Sequence, residues 1–195
     1  MGKIIYLMGK SSVGKDTIYK ELLKKEGNLL KPVILYTTRP MREGEQQGRE
    51  YFFVDNSVLA EYEKKGKIIE MREYHTVHGI WAYATVDDGQ IDLSKANYLA
   101  IGTLESYEQI KRYYGEDKLF PVYLTVDDGI RLERAIKRER KQVQPHYAEM
   151  CRRFLADEED FSKENLERSG IHRSFSNDDL EECVEKIWAE IQEIS

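Results

Sequence analysis

Apolar and polar positions along the chain change period several times, and each change marks an element. Ile4–Met8 is an unbroken apolar run, as a strand covered on both faces produces. After the glycine-bearing stretch Gly9–Lys15, apolar residues return with helical spacing at Ile18, Leu22 and Leu23, and Gly27 predicts the stop. Pro32–Tyr36 predicts a second strand and Tyr51–Val54 a third. A helix capped by Asn56 or Ser57 runs through Leu59 and Tyr62 to Gly66. Ile68–Tyr74 and Trp81–Val86 predict a small antiparallel pair, whereas Tyr98–Ile101 and Leu119–Val126 are continuous enough for buried strands. Helical patterns cover 104–114, 128–142, 147–167 and 179–194. Strands alternating with helices imply an α/β fold with a parallel central sheet, and residues 37–92 read as an inserted subdomain. No internal repeat, low-complexity tract or linker interrupts the pattern.

Composition narrows the function classes. The 195 residues carry 30 Lys and Arg against 36 Asp and Glu, a net charge of -6, which argues against a general nucleic-acid surface. Cys151 and Cys183 are too few and too far apart for a disulfide framework or zinc site, so a reducing, cytoplasmic compartment is expected. The run Ile4–Met8 is too short for a signal or membrane segment, and Tyr6 stands where a myristoylation pattern needs Ser or Thr. The charge is unevenly spread: residues 131–153 sum to +5 and residues 154–195 to -9. By itself a cationic segment of this kind is a solvated amphipathic helix.

Gly9-Lys10-Ser11-Ser12-Val13-Gly14-Lys15 fits G-x-x-x-x-G-K between a predicted strand and a predicted helix, the context a phosphate-binding P-loop requires. Glycines let the backbone turn its N–H groups inward, the helix N-terminus adds positive potential, and Lys15 reaches the outer phosphates. Gly9, Ser11, Ser12, Val13, Gly14, Lys15, Asp16 and Thr17 are therefore candidate ATP-binding residues. Asp16 occupies the position where Ser or Thr usually binds magnesium. It either holds Mg²⁺, directly or through water, or complements the helix N-terminus.

The polar loop Thr37-Thr38-Arg39-Pro40-Met41-Arg42-Glu43-Gly44-Glu45, continued by Gly48, Tyr51 and Phe53, resembles the guanylate kinase pattern T-T-R-x-x-R-x-G-E-x-x-G-x-x-Y-x-F. Two arginines three apart can grip one phosphate, and a tyrosine hydroxyl adds a neutral donor. The resemblance implies a P-loop NTPase three-layer fold with a nucleoside-monophosphate-binding insert over 37–92, a helical lid over 134–154, and a core of 1–36, 93–133 and 155–195. It implies transfer of the ATP γ-phosphoryl group to GMP, with Mg²⁺ as cofactor and a monomer or homodimer as the working form. Arg39, Arg42 and Tyr51 would hold the acceptor phosphate. The same alignment carries the family's base-reading glutamate onto Glu70, a carboxylate suited to the two adjacent donors of guanine. Tyr83-Ala84-Thr85 is closest to the family's Y-G-[ST], so that Tyr83 would contact phosphate and Thr85 the guanine O6. A rival register instead aligns Gly79-Ile80-Trp81.

Four departures accompany the likeness. Leu35 replaces a serine that supports base recognition. Four residues are inserted in the hairpin around His75–His78. The strand end Leu99-Ala100-Ile101-Gly102-Thr103 carries no acid where the family has one, and Glu105 is a weak substitute. Asp16 would supply the relocated carboxylate. In the cationic segment Arg134 and Arg138 share a helix face, and Arg152-Arg153-Phe154 resembles the family's R-R-L. Lys15 and the lid arginines Arg138, Arg140, Arg152 and Arg153 are the candidate catalytic cations. Ser176-Asn177-Asp178-Asp179 resembles the family's V-N-D-D, where either Asn177 touches the adenine or Ser176 or Asn177 caps the last helix. His75, His78, His146 and His172 are expected at the surface, and Trp81 and Trp188 in packing. Two rival functions remain: a kinase of this fold with another phosphorylated acceptor, and a non-catalytic module that binds a phosphorylated partner.

Overall fold

Residues 2–25, 30–76 and 79–194 are described by a computed structural model. Its strands are β1 (Ile4–Met8), β2 (Leu30–Pro32), β3 (Tyr36–Thr37), β4 (Phe52–Phe53), β5 (Ile68–Thr76), β6 (Gly79–Val86), β7 (Asn97–Ile101), β8 (Leu119–Thr125) and β9 (Phe175–Ser176). Its helices are α1 (Lys15–Lys24), α2 (Asn56–Lys64), α3 (Leu104–Tyr114), α4 (Asp128–Glu139), α5 (Tyr147–Asp160), α6 (Lys163–Arg168) and α7 (Leu180–Glu193).

The central sheet has the order β2-β7-β1-β8-β9, and every pairing is parallel. Being central, β1 must be apolar on both faces, and all its residues are buried. Ile5 and Leu7 join Ile18, Leu22, Ile187 and Ile191 of α1 and α7 on one side, while Ile4, Tyr6 and Met8 join Leu104, Tyr107 and Ile110 of α3 on the other. Two-residue alternation in one strand thus creates two helix-on-sheet layers. The chain leaves β1 at the point where neighbouring connections diverge to either side, which opens a crevice at the strand's C-terminal end.

A second sheet, ordered β4-β3-β6-β5, stands on residues 36–86. Its apolar face packs Tyr36, Ala82, Ala84 and Val86 against Leu59 of α2. The β5–β6 hairpin pairs Glu70 with Thr85 and Arg72 with Tyr83, and its register shifts between Ile68 and Glu70. That bulge re-aims the polar residues of β5.

Several predicted elements differ in extent. The single strand over Pro32–Tyr36 is instead two short strands. Val33 still donates to Leu99, but both backbone groups of Ile34 are taken by the Gln90 side chain, so the ladder ends and the chain crosses to the second sheet. The helix over 147–167 breaks at Phe161, and Ser162 caps α6 by accepting from Asn165. The helix from 128 ends at Glu139. Asp55 precedes α2 and Asp179 caps α7, in place of Asn56 or Ser57 and of Ser176 or Asn177. The predicted stop at Gly27, and Val77 and His78 of the hairpin, lie outside the described residues. No helix among the described residues is long and apolar enough to cross a membrane.

Ile187 is fully buried between α7 and the sheet, whereas Ile130 is 38% exposed. Ile187→Ala should lower unfolding free energy by about 2–5 kcal/mol and Ile130→Ala by about 0.5 kcal/mol or less, measured by urea denaturation.

Candidate active site

Between β1 and α1 the backbone reverses through Gly9, Ser12 and Gly14, whose φ angles are 151°, 66° and 97°. Turning amides inward turns carbonyls outward, and each outward carbonyl needs a donor. The Lys15 ammonium donates to the carbonyls of Gly9 (2.6 Å) and Lys10 (3.0 Å). Arg131 Nε donates to Ser11 (3.1 Å), and Asn177 Nδ2 to Val13 (2.6 Å). A side chain at Gly14 would meet Asn177 at 2.4 Å, so glycine is required there by space as well as by φ.

Burial pulls the Lys15 ammonium below the ordinary lysine range; the carboxylates of Asp157 and Asp16 oppose that shift, while Arg131 and Arg138 add to it. An incoming polyphosphate would relieve this crowding of cations. Arg131 is 1% exposed and joins three acids: Asp128, Glu158 at 2.9 Å and Asp157 at 3.3 Å. The Phe154 ring centroid lies 4.4 Å from its guanidinium carbon. Asp157 also accepts the Ser11 amide at 2.8 Å, and Lys10 pairs with Glu158. Helix α5 is thereby tied to the loop through one buried guanidinium.

In the loop after β3, Arg39 is 4% exposed and forms a two-pronged pair with Glu45, at 3.0 and 2.8 Å. Its guanidinium carbon lies 5.4 Å from the Tyr51 ring centroid, and Tyr51 in turn meets the Tyr83 ring edge-on at 5.6 Å. The Glu45 carboxyl is held below the usual carboxylate range by its bond to Arg39. Burial and the neighbouring Tyr83 raise the Tyr51 phenol, which also feels the Asp16 carboxylate. The Tyr51 phenol thus lies within electrostatic reach of the first turn of α1. Glu70 is 1% exposed, accepting from Arg72 Nε at 2.9 Å and from the Thr85 hydroxyl at 2.9 Å.

The guanylate kinase family profile matches residues 1–193. The chain belongs to the guanylate kinase family. It is 32% identical to the guanylate kinase of Prochlorococcus marinus (strain MIT 9312) over 135 residues, covering 69% of this chain and 71% of that one. It is 41% identical to the guanylate kinase of Nostoc sp. over 73 residues, 37% of this chain and 36% of that one. The crystal structure of guanylate kinase from Anaplasma phagocytophilum superposes with a TM-score of 0.69 over 98% of this chain and 85% of that one, and at 18% identity the likeness speaks for the fold alone.

In this guanylate kinase family member the expected site residues do not all gather. Gly9, Ser11, Ser12, Val13, Gly14 and Lys15 line one loop, with Asp16 and Thr17 exposed on the first turn of α1. Asn177 is buried and pins that loop, its Oδ1 atom without a hydrogen-bond partner among the described residues. Arg39, Tyr51 and Tyr83 form one cluster, while the exposed Arg42 side chain stands beside it, its backbone amide donating to Glu45 at 2.7 Å. Placing Tyr83 there fits the Tyr83–Thr85 register, because Gly79–Trp81 lies nearer the hairpin tip. Of the lid arginines, Arg138 is close enough to act on Lys15. Arg152 and Arg153 are exposed and both bind Glu149, and Arg140 is exposed on the turn after α4. Arg131 and Arg72 had no place among the expected site residues. Their signals were present: Arg131 precedes Arg134 and Arg138 on one helix face, and Arg72 follows Glu70 by two on a strand.

Asp16 makes no ion pair or hydrogen bond among the described residues, and no three acidic, His or Cys residues cluster there as a metal cage. A single exposed carboxylate beside a phosphate loop suits Mg²⁺, which keeps water and phosphate oxygens as most of its ligands.

Arg131→Met would leave Asp157 and Glu158 without their shared cation. Unfolding free energy should drop by about 3 kcal/mol in urea denaturation, the lower end for a broken buried pair because both acids reach solvent.

Proposed function

We propose that this protein is a GMP kinase, transferring the γ-phosphoryl group of ATP to GMP to give GDP and ADP. The phosphate loop together with the Arg39–Tyr51–Tyr83 cluster, whose Tyr51 phenol lies within electrostatic reach of Asp16, supports this reading, since transfer needs a grip on the acceptor phosphate as well as on the donor. The loop amides and Lys15 hold the donor phosphates. Arg39 is locked by Glu45 and so presents its remaining donors in a fixed direction, while the unlocked Arg42 can close on the acceptor phosphate. An acceptor phosphate oxygen is already anionic, so no general base is required.

Asp16 would hold Mg²⁺, which would supply a counter-charge for the donor phosphates. Arg138 on α4 lies on the donor side, where it can offset charge on the transferring group as the segment 134–154 closes as a lid. Arg140, Arg152 and Arg153 reach that group only through such closure. Asn177 serves the donor site by fixing the loop. The acidic surface and the small-molecule site fit a cytoplasmic monomer or homodimer acting on ATP and GMP, without a nucleic-acid or membrane partner.

Lys15→Ala should cut kcat with GMP by about a hundredfold or more in an ADP-release assay, because a cation at the transferring phosphoryl group is lost. A near-normal rate would sink the mechanism.

A further inference from the structure

The face of the hairpin that carries Tyr83 also carries Glu70, Arg72 and Thr85. Glu70, whose side chain has no exposed area, is the residue through which a guanine edge would be read. Its oxygens are already engaged. Oε2 accepts Arg72 Nε at 2.9 Å; Oε1 accepts Thr85 Oγ1 at 2.9 Å and Arg72 Nη2 at 3.3 Å. A carboxylate offers about four lone-pair sites, and three are taken here. Guanine needs two, side by side, for its N1–H and 2-amino donors. The pair is buried on both sides: the Arg72 side chain is 10% exposed, and Arg72 Nη1 also reaches Thr103 Oγ1 at 3.4 Å. Opening it would strand a buried carboxylate.

Neither the end of β7 nor Leu35 adds a carboxylate to this face. Strand β7 ends in Ile101-Gly102-Thr103, and Gly102 is packed so closely that an added Cβ would lie 2.2 Å from the Tyr6 hydroxyl. Leu35 is buried and apolar. Guanidinium has five N–H donors; three of Arg72's are spent on Glu70 and Thr103. Arg72 also borders a cleft of about 380 Å³ with Met71, Glu73, Tyr74 and Glu105.

We propose that Arg72 sets base selectivity: by holding Glu70 in a buried ion pair it withdraws the carboxylate from the 2-amino group and offers its own N–H donors to a carbonyl-bearing base. The acceptors are then 6-oxopurine nucleoside monophosphates as a class, with or without the 2-amino group. This inference rests on the GMP kinase reading above and names the substrate range of that same site.

The test compares kcat/KM for GMP and IMP, with Mg-ATP as donor, in the full chain and in Glu70→Gln and Arg72→Met. The expected GMP-to-IMP ratio is below about ten in the unaltered protein and changes less than about threefold in Glu70→Gln, because Glu70 does not read the 2-amino group. In Arg72→Met the freed carboxylate can accept both guanine donors, so the ratio should rise by about tenfold, the scale of one hydrogen bond to a charged group. A ratio above about ten in the unaltered protein that collapses in Glu70→Gln overturns the proposal while leaving GMP kinase activity standing. Turnover of neither GMP nor IMP overturns the activity reading and this one with it. Should Arg72→Met fail to fold, as its melting curve would reveal, the Glu70→Gln ratio decides.

Discussion

The phosphate loop imposes the constraint from which most of the site follows. A backbone that points consecutive amides at one anion must point its carbonyls elsewhere, and in a crowded crevice each carbonyl has to find a donor. Here the donors come from three places: Lys15 at the start of α1, Arg131 on α4 and Asn177 beyond β9. The loop is therefore held by segments far apart in the chain. Its shape belongs to the folded domain as much as to the G-x-x-x-x-G-K spacing.

Arg131 extends the constraint outward. A guanidinium that is 1% exposed has to be neutralised, and Asp128, Asp157 and Glu158 do this from α4 and α5. The acids that give the C-terminal part of the chain its charge of -9 thus include two with a structural task. The net charge of -6 conceals an arrangement in which cations line the crevice and acids brace them from behind. Arg39 with Glu45 and Arg72 with Glu70 repeat the device around the second sheet.

These braced cations divide the labour of a phosphotransferase. Groups whose direction must be fixed, such as Arg39, are buried and paired. Arg42, Arg138, Arg140, Arg152 and Arg153 stand exposed instead, and Arg152 and Arg153 share Glu149 in pairings that solvent can replace. Fixed charge at the loop and exposed charge at its rim suit a site in which charge is neutralised only once nucleotides have entered.

Local pattern determined much of this protein. Two-residue alternation and continuous apolar runs marked the strands, because burial on one or both faces is a property of a short segment; α3 begins and ends as its apolar spacing indicates. The P-loop and the T-T-R-x-x-R loop were legible because their chemistry is carried by adjacent residues. Tertiary structure decided what depends on distant partners. The break after Pro32 required Gln90, the role of Asn177 required the carbonyl of Val13, and the burial of Arg131 required acids on another helix. The pairing of Glu70 with Arg72 was close in sequence, yet only the bulged hairpin and the wall formed by Thr85 and Thr103 bury it. A sequence fixes which charges exist and how they are spaced, but burial decides which of them must pair, since only desolvation makes an unpaired charge costly.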